Sequence, residues 1–139
     1  MGLKFGSAEW ARALEGEIQG SSEYRNAAAG WGVGFNGNIL FAFEADEAMP
    51  QARYLLIRLE GGSCQGVEFV ESPTVPEAGF VLRAPFSVWK EILERKSLAA
   101  TAILTGRMRV DGDKMTLLRF TSAHRALVHC TGSIDTLFG

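Results

Sequence analysis

Few side chains in this chain have the chemistry of a reactive centre, and their spacing limits what each can do. The two histidines, His124 and His129, stand five positions apart, and Cys130 follows directly. Helical side chains share a face at separations of three or four, so these imidazoles point different ways. Together with Cys130 they make a donor set that does not converge, and no zinc site follows. His124 lies beside the apolar positions Phe120 and Leu127 and is expected to be a core or boundary residue with its hydrogen bonds satisfied. Ser122, His124 and Asp135 supply the residue types of a hydrolytic triad. No GxSxG elbow surrounds the serine, however, and the spacing fixes no common geometry. Asp46 and Glu47 are adjacent carboxylates in a connecting segment and read as solvated.

Gly32, Gly34 and Gly37 satisfy the pattern GxGxxG. A dinucleotide loop must run from a strand into a helix, whose N-terminal N–H groups then meet the phosphates. Here the β-rich run ILFAFEA follows instead, so the segment reads as a glycine-rich hairpin. No GxxxxGK[ST] phosphate loop occurs. The expectation is a protein without catalytic residues, metal or cofactor, and not an enzyme.

The elements that surround these residues fit one domain, 1–139, long enough to bury a core without staples. A hydrophobic content of 47% against 22% charged residues argues for a folded chain rather than a disordered one. A net charge of -2, with basic residues scattered, leaves no footprint for nucleic acid. No run approaches the roughly 18–20 apolar residues of a membrane span, so no stable membrane insertion is expected. Cys64 and Cys130 form no CxxC pair and no secretory signal is visible, so free thiols and a cytoplasmic location are expected.

Along the chain, Trp10, Leu14 and Ile18 recur at fourfold spacing and predict a helix over 7–19, with Ser7 as its N-cap. A short helix over 22–28 follows. From Trp31 the period changes to two, predicting a short strand over 31–35, an Asn36-Gly37 type I′ turn and a strand over 38–45. Further strands are expected over 53–59, 65–71 and 79–83, close enough together for an antiparallel meander. Pro85 opens a helix carrying Phe86, Trp89, Ile92 and Leu93. A short helix over 98–104 comes next. Between Gly106 and Asp111, Met108 and Val110 alternate with Arg107 and Arg109, predicting a half-buried strand. A last helix should run from about Lys114 to about His129.

From Ile39 onward this order resembles the sterol carrier protein type-two domain family. ILFAFEA, RYLLIRLEGG and QGVEFV look like its first three core strands. GFVLR followed by PFSVWKEILERK looks like its fourth strand and the helix with an aromatic, here Trp89. The most specific likeness is an alanine-containing short helix followed by Gly-basic-x-basic-aliphatic-x-Gly, here Ala102 to Leu104 and then Gly106 to Gly112. Arg95 stands where the family commonly has Gly, and Ala99 where it commonly has Pro. The resemblance implies an α+β fold, a mixed and mainly antiparallel five- or six-stranded sheet covered by helices. It also implies an apolar tunnel for a hydrophobic small molecule: a fatty acyl chain, sterol or similar lipid. Facing and resemblance together nominate Phe41, Phe43, Leu56, Trp89, Leu93, Leu104, Met108, Leu117 and Phe120 as ligand-binding residues. The alternative is a closed protein-interaction or dimerisation module of the same fold without lipid, and a homodimer fits either reading.

Overall fold

The computed structural model describes residues 2–138. Its first element is a two-residue strand, β1 (Leu3–Lys4), which pairs in parallel with a matching strand near the other end of the chain, β7 (Thr136–Leu137). Between them, α1 (Ala8–Gln19) starts where Ser7 Oγ accepts the Trp10 N–H at 3.2 Å. That cap satisfies one of the helix's free N–H groups, and the fourfold spacing buries Trp10, Leu14 and Ile18 as expected. The short helix α2 (Ser22–Ala27) is capped in the same way by Ser21.

The segment over 31–35 is a loop, not a strand, and Asn36-Gly37 is not a type I′ turn. Gly32 and Gly34 take φ of +80° and +85°, which breaks extended geometry. Trp31 turns its ring into the core and donates its Nε1–H to the Gly37 carbonyl at 2.8 Å, folding the loop on itself. A Cβ on Gly37 would lie 2.7 Å from the Gly32 Cα, so this closure requires glycine. The GxGxxG match therefore belongs to a wrapped loop that feeds a strand.

The main sheet has five strands in the order β4-β3-β2-β5-β6. Its centre is β2 (Ile39–Glu44), buried on both faces. β3 (Arg53–Glu60) and β4 (Ser63–Val70) form a hairpin through Gly61 and Gly62, both at positive φ. β5 (Phe80–Pro85) corrects the simple meander, because it runs parallel to β2. The connection after β4 carries the chain back across the sheet, where Val75 and Ala78 cover Leu40, Ala42 and Leu56. The strand that follows therefore points the same way as β2. The sheet is mixed and mainly antiparallel, and all the long helices lie on the face opposite that connection.

Pro85 ends β5, and α3 (Phe86–Leu93) begins at the next residue. Its N-terminus is capped from a distance: Asp46 accepts the Ser87 N–H at 2.7 Å. That bond, with further N–H donors from Ala48 and Met49, holds the Asp46 carboxyl below the ordinary carboxylate range. Asp46 is thus occupied with structure. After α4 (Ala99–Leu104), the expected strand shrinks to β6 (Arg109–Asp111). Gly106 takes φ +79°, and the N–H groups of Arg107 and Met108 both go to the Ala102 carbonyl, so this stretch wraps the end of α4. The alternation itself holds, with Met108 buried, Val110 half-buried, and Arg107 and Arg109 exposed.

The last helix is two. α5 (Lys114–Arg119), capped by Asp113, stops at Phe120, and α6 (Thr121–Gly132) starts on a new axis. Phe120 sits at φ −107° and ψ 33°, outside helical geometry, with its ring 5.3 Å from Trp31. The contact between these rings, worth more than its buried area alone, coincides with the break that turns α5 away from α6. α6 also continues through Thr131 and Gly132, beyond the expected end.

Candidate lipid-binding cavity

The break between α5 and α6 leaves a gap of about 510 Å³ enclosed by four helices and the sheet. This lies within the roughly 300–1,000 Å³ of ordinary ligand pockets. Its floor is Leu82 of β5, Ile92 of α3, Ile103 of α4 and Leu117 of α5, all buried. Leu98, Ala99 and Ala100 form one wall, and Leu118, Thr121, His124 and Val128 form the other. The alanines of α4 matter because they stop short of the opposite wall.

Polar groups gather at the rim: Arg95, Ser97, Arg125 and His129. Arg95 and Arg125 are exposed, and neither has an ion-pair partner among the described residues. His129 faces Glu23 at 3.3 Å. Arg95 holds φ +63°, the one non-glycine residue described at positive φ, and its guanidinium lies against Gly132 at the C-terminal end of α6. A cation there faces the negative end of the helix dipole.

Inside, His124 is the exception in an apolar wall. Its ring stands edge-on to Trp31, centroids 4.6 Å apart, and neither nitrogen has a hydrogen-bond partner. Burial pushes its pKa down to about 4, and the Leu117 carbonyl, too poorly placed to form a hydrogen bond, pulls only weakly the other way. The imidazole is therefore neutral at ordinary pH. The expectation of a satisfied core histidine is corrected: the residue is mostly buried but unsatisfied.

Of the nine nominated ligand residues, Leu117 lines this cavity. Phe41 and Phe43 lie on the right face of the sheet but are filled against Trp89, each with ring centroids 4.8 Å away. Trp89 is 1% exposed and donates its Nε1–H to the Ala42 carbonyl at 2.9 Å, which makes it a core pillar rather than a cavity wall. Met108 is buried, Leu93 is half-buried against the core, and Phe120 is occupied by Trp31. Two placements are corrected outright. Leu56 faces the opposite side of the sheet with Leu40 and Ala42, because residues one apart on a strand point to opposite faces. Leu104, at the end of α4, is 70% exposed.

The residues that sequence reasoning missed are Leu82, Ile92, Leu98, Ile103, Leu118 and Val128, together with the Arg95–Arg125 rim. Their signal was the small-residue run AATA on α4 opposite mid-sized side chains on α5 and α6, a deficit of volume rather than a motif. Among the described residues, no group of three or more His, Cys, Asp and Glu is placed to hold a metal ion, and no helix is long and apolar enough to cross a membrane.

Comparison with known proteins bears on this arrangement. A search of curated protein sequences finds no match. Among solved structures, the chain is similar to a crystal structure of sterol carrier protein 2, at 25% identity and TM-score 0.79, covering 94% of this chain and 98% of that one. It is also similar to a conserved hypothetical protein of Thermus thermophilus, described as possibly a sterol carrier protein, at 24% identity and TM-score 0.81, covering 98% and 93%. The apo form of sterol carrier protein 2 from Yarrowia lipolytica shares the fold at 12% identity and TM-score 0.56, covering 92% of each chain. The family model described as the SCP-2 sterol transfer family matches residues 35–125, which contain the whole sheet and most of the cavity wall. With a mixed five-stranded sheet, a helical cover and that match over more than half its length, the chain belongs to the SCP-2 sterol transfer family.

Proposed function

We propose that this chain is a non-catalytic carrier that binds an amphipathic lipid in the cavity between α3, α4, α5 and α6. The observation that carries the reading is an apolar space of about 510 Å³ whose mouth holds two unpaired guanidinium groups, Arg95 and Arg125. An acyl chain fits the floor and walls, and an anionic headgroup fits the rim. Burying a methylene contributes about 0.8 kcal/mol, so a chain of about 14–16 carbons offers on the order of 11–13 kcal/mol gross. Association and ordering remove about half of that or more. Micromolar binding then needs no reactive group. Family membership and the likeness to sterol carrier protein 2 support the same reading. The free, buried thiols of Cys64 and Cys130 are in keeping with a reducing compartment such as the cytoplasm.

The test is organic extraction of the purified chain followed by lipid mass spectrometry, then titration of the delipidated protein with a fluorescent fatty acid. Stoichiometric lipid, or saturable micromolar binding, is expected. A chain that carries no lipid and binds none would leave the closed interaction module as the better account.

A further inference from the structure

The wall of the cavity is apolar except at one place, and that place is wasteful unless a ligand answers it. His124 sits among Leu82, Ile103, Leu117 and Leu118, with both ring nitrogens out of contact with water and without a partner. A buried polar group left unpaired costs more than an apolar group of the same shape would. Phenylalanine in this position would keep the edge-on contact with Trp31 without that cost. The Trp31 contact can engage one N–H weakly at best, through the π face. The other nitrogen remains a free acceptor.

Resting on the lipid-carrier reading above, we infer that His124 selects ligands bearing a hydroxyl group inside the cavity, that is, hydroxylated acyl chains or sterols rather than plain hydrocarbon. A hydroxyl is the matching group because it both donates and accepts. It can therefore pair with whichever ring nitrogen turns toward it, and a half-turn about Cβ–Cγ exchanges nitrogens with carbons while keeping the ring's outline. A carboxylate is the wrong group at this depth. It would need a cation beside it, and Arg95 and Arg125 stand at the rim. The cavity then has two reading heads, cationic at the mouth and neutral within.

The experiment is a competition between matched ligands on the full chain. Hexadecanoic acid is compared with its hydroxylated derivatives (near the carboxyl, mid-chain and at the methyl end), and a sterol is compared with its methyl ether. At least one hydroxylated ligand should bind wild type about tenfold tighter than its parent, the worth of one buried hydrogen bond. In His124→Phe that ratio should fall to about one, and His124→Gln should restore part of it. The acid and sterol arms decide which source of hydroxyl is used. If the parent ligands bind and no hydroxylated form gains, or if His124→Phe keeps the preference, the inference is overturned while the carrier reading stands. If no ligand of either kind binds, the carrier reading fails and this inference falls with it. Imidazole nitrogen chemical shifts in wild type give an independent readout. They should move with the hydroxylated ligand only, and identical shifts with both ligands would contradict hydroxyl recognition.

Discussion

Two regions on the same side of the sheet use similar residues and end in opposite states. Around Phe5, Phe43, Phe41 and Trp89, aromatic rings meet at 4.8–6.2 Å and fill their space. A few residues along, between α4 and α6, side chains just as apolar leave about 510 Å³ unfilled. Hydrophobicity does not separate the two regions. Side-chain volume does: large rings bridge the first, whereas Ala99 and Ala100 oppose mid-sized residues in the second. The helix break at Phe120 holds α5 and α6 apart.

Trp89→Ala is the strongest way to break this contrast. A fully buried tryptophan truncated to alanine costs about 3–5 kcal/mol, and the Ala42 carbonyl also loses its donor. Denaturant unfolding should show that loss. A variant that stays equally stable and merely binds lipid less well would put Trp89 in the cavity instead of the core.

Acid should separate the regions next. The folded pKa of His124 lies near 4 against an ordinary 6.5, so between those values the unfolded chain takes up a proton that the folded chain refuses. Stability therefore falls as pH drops from about 6.5 toward 4, by about 3 kcal/mol from this group. Thermal melts across that window should steepen for wild type relative to His124→Phe, and parallel profiles would show that the imidazole is not held neutral. Below about 4 the two profiles should run parallel again.

Filling the gap sharpens the comparison from the other side. Val128→Trp should displace about three methylenes of any bound chain, about 2.4 kcal/mol or some fiftyfold in affinity, while leaving unfolding stability nearly unchanged. A large loss of stability instead would mean that the space is already packed. The smallest effect is expected at Arg95, where a side chain occupies a left-handed conformation that glycine tolerates freely. Arg95→Gly should gain about 0.5–1 kcal/mol in stability, measured by denaturant midpoint. It should also lose several-fold in affinity for an anionic lipid compared with its neutral alcohol.

Much of the fold was legible because it rests on local rules. Ser7 with Trp10, Leu14 and Ile18 announces α1, and the alternation of Met108 and Val110 with Arg107 and Arg109 survives even where the strand shortens. Three features were hidden for one reason: a distant partner decides them. Trp31 reads as a strand residue until its indole reaches Gly37, Phe120 reads as mid-helix until it meets Trp31, and β5 reads as antiparallel until the chain is seen to cross the outer face. The cavity was less legible still. Periodicity tells which side chains turn inward, so Phe41, Phe43 and Trp89 were reasonable nominations. It does not tell where inward-facing volume falls short, and a cavity is such a shortfall.

The central claim, that lipid enters between α4 and α6 and not among the aromatics, can be tested directly by methyl NMR with a spin-labelled fatty acid. The account predicts paramagnetic broadening of Ile92, Ile103, Leu118 and Val128 methyls at stoichiometric ligand, with Leu14, Ile18 and Leu56 left sharp. Broadening that spares the α4–α6 methyls, or that falls on Leu14 and Ile18 instead, would contradict it.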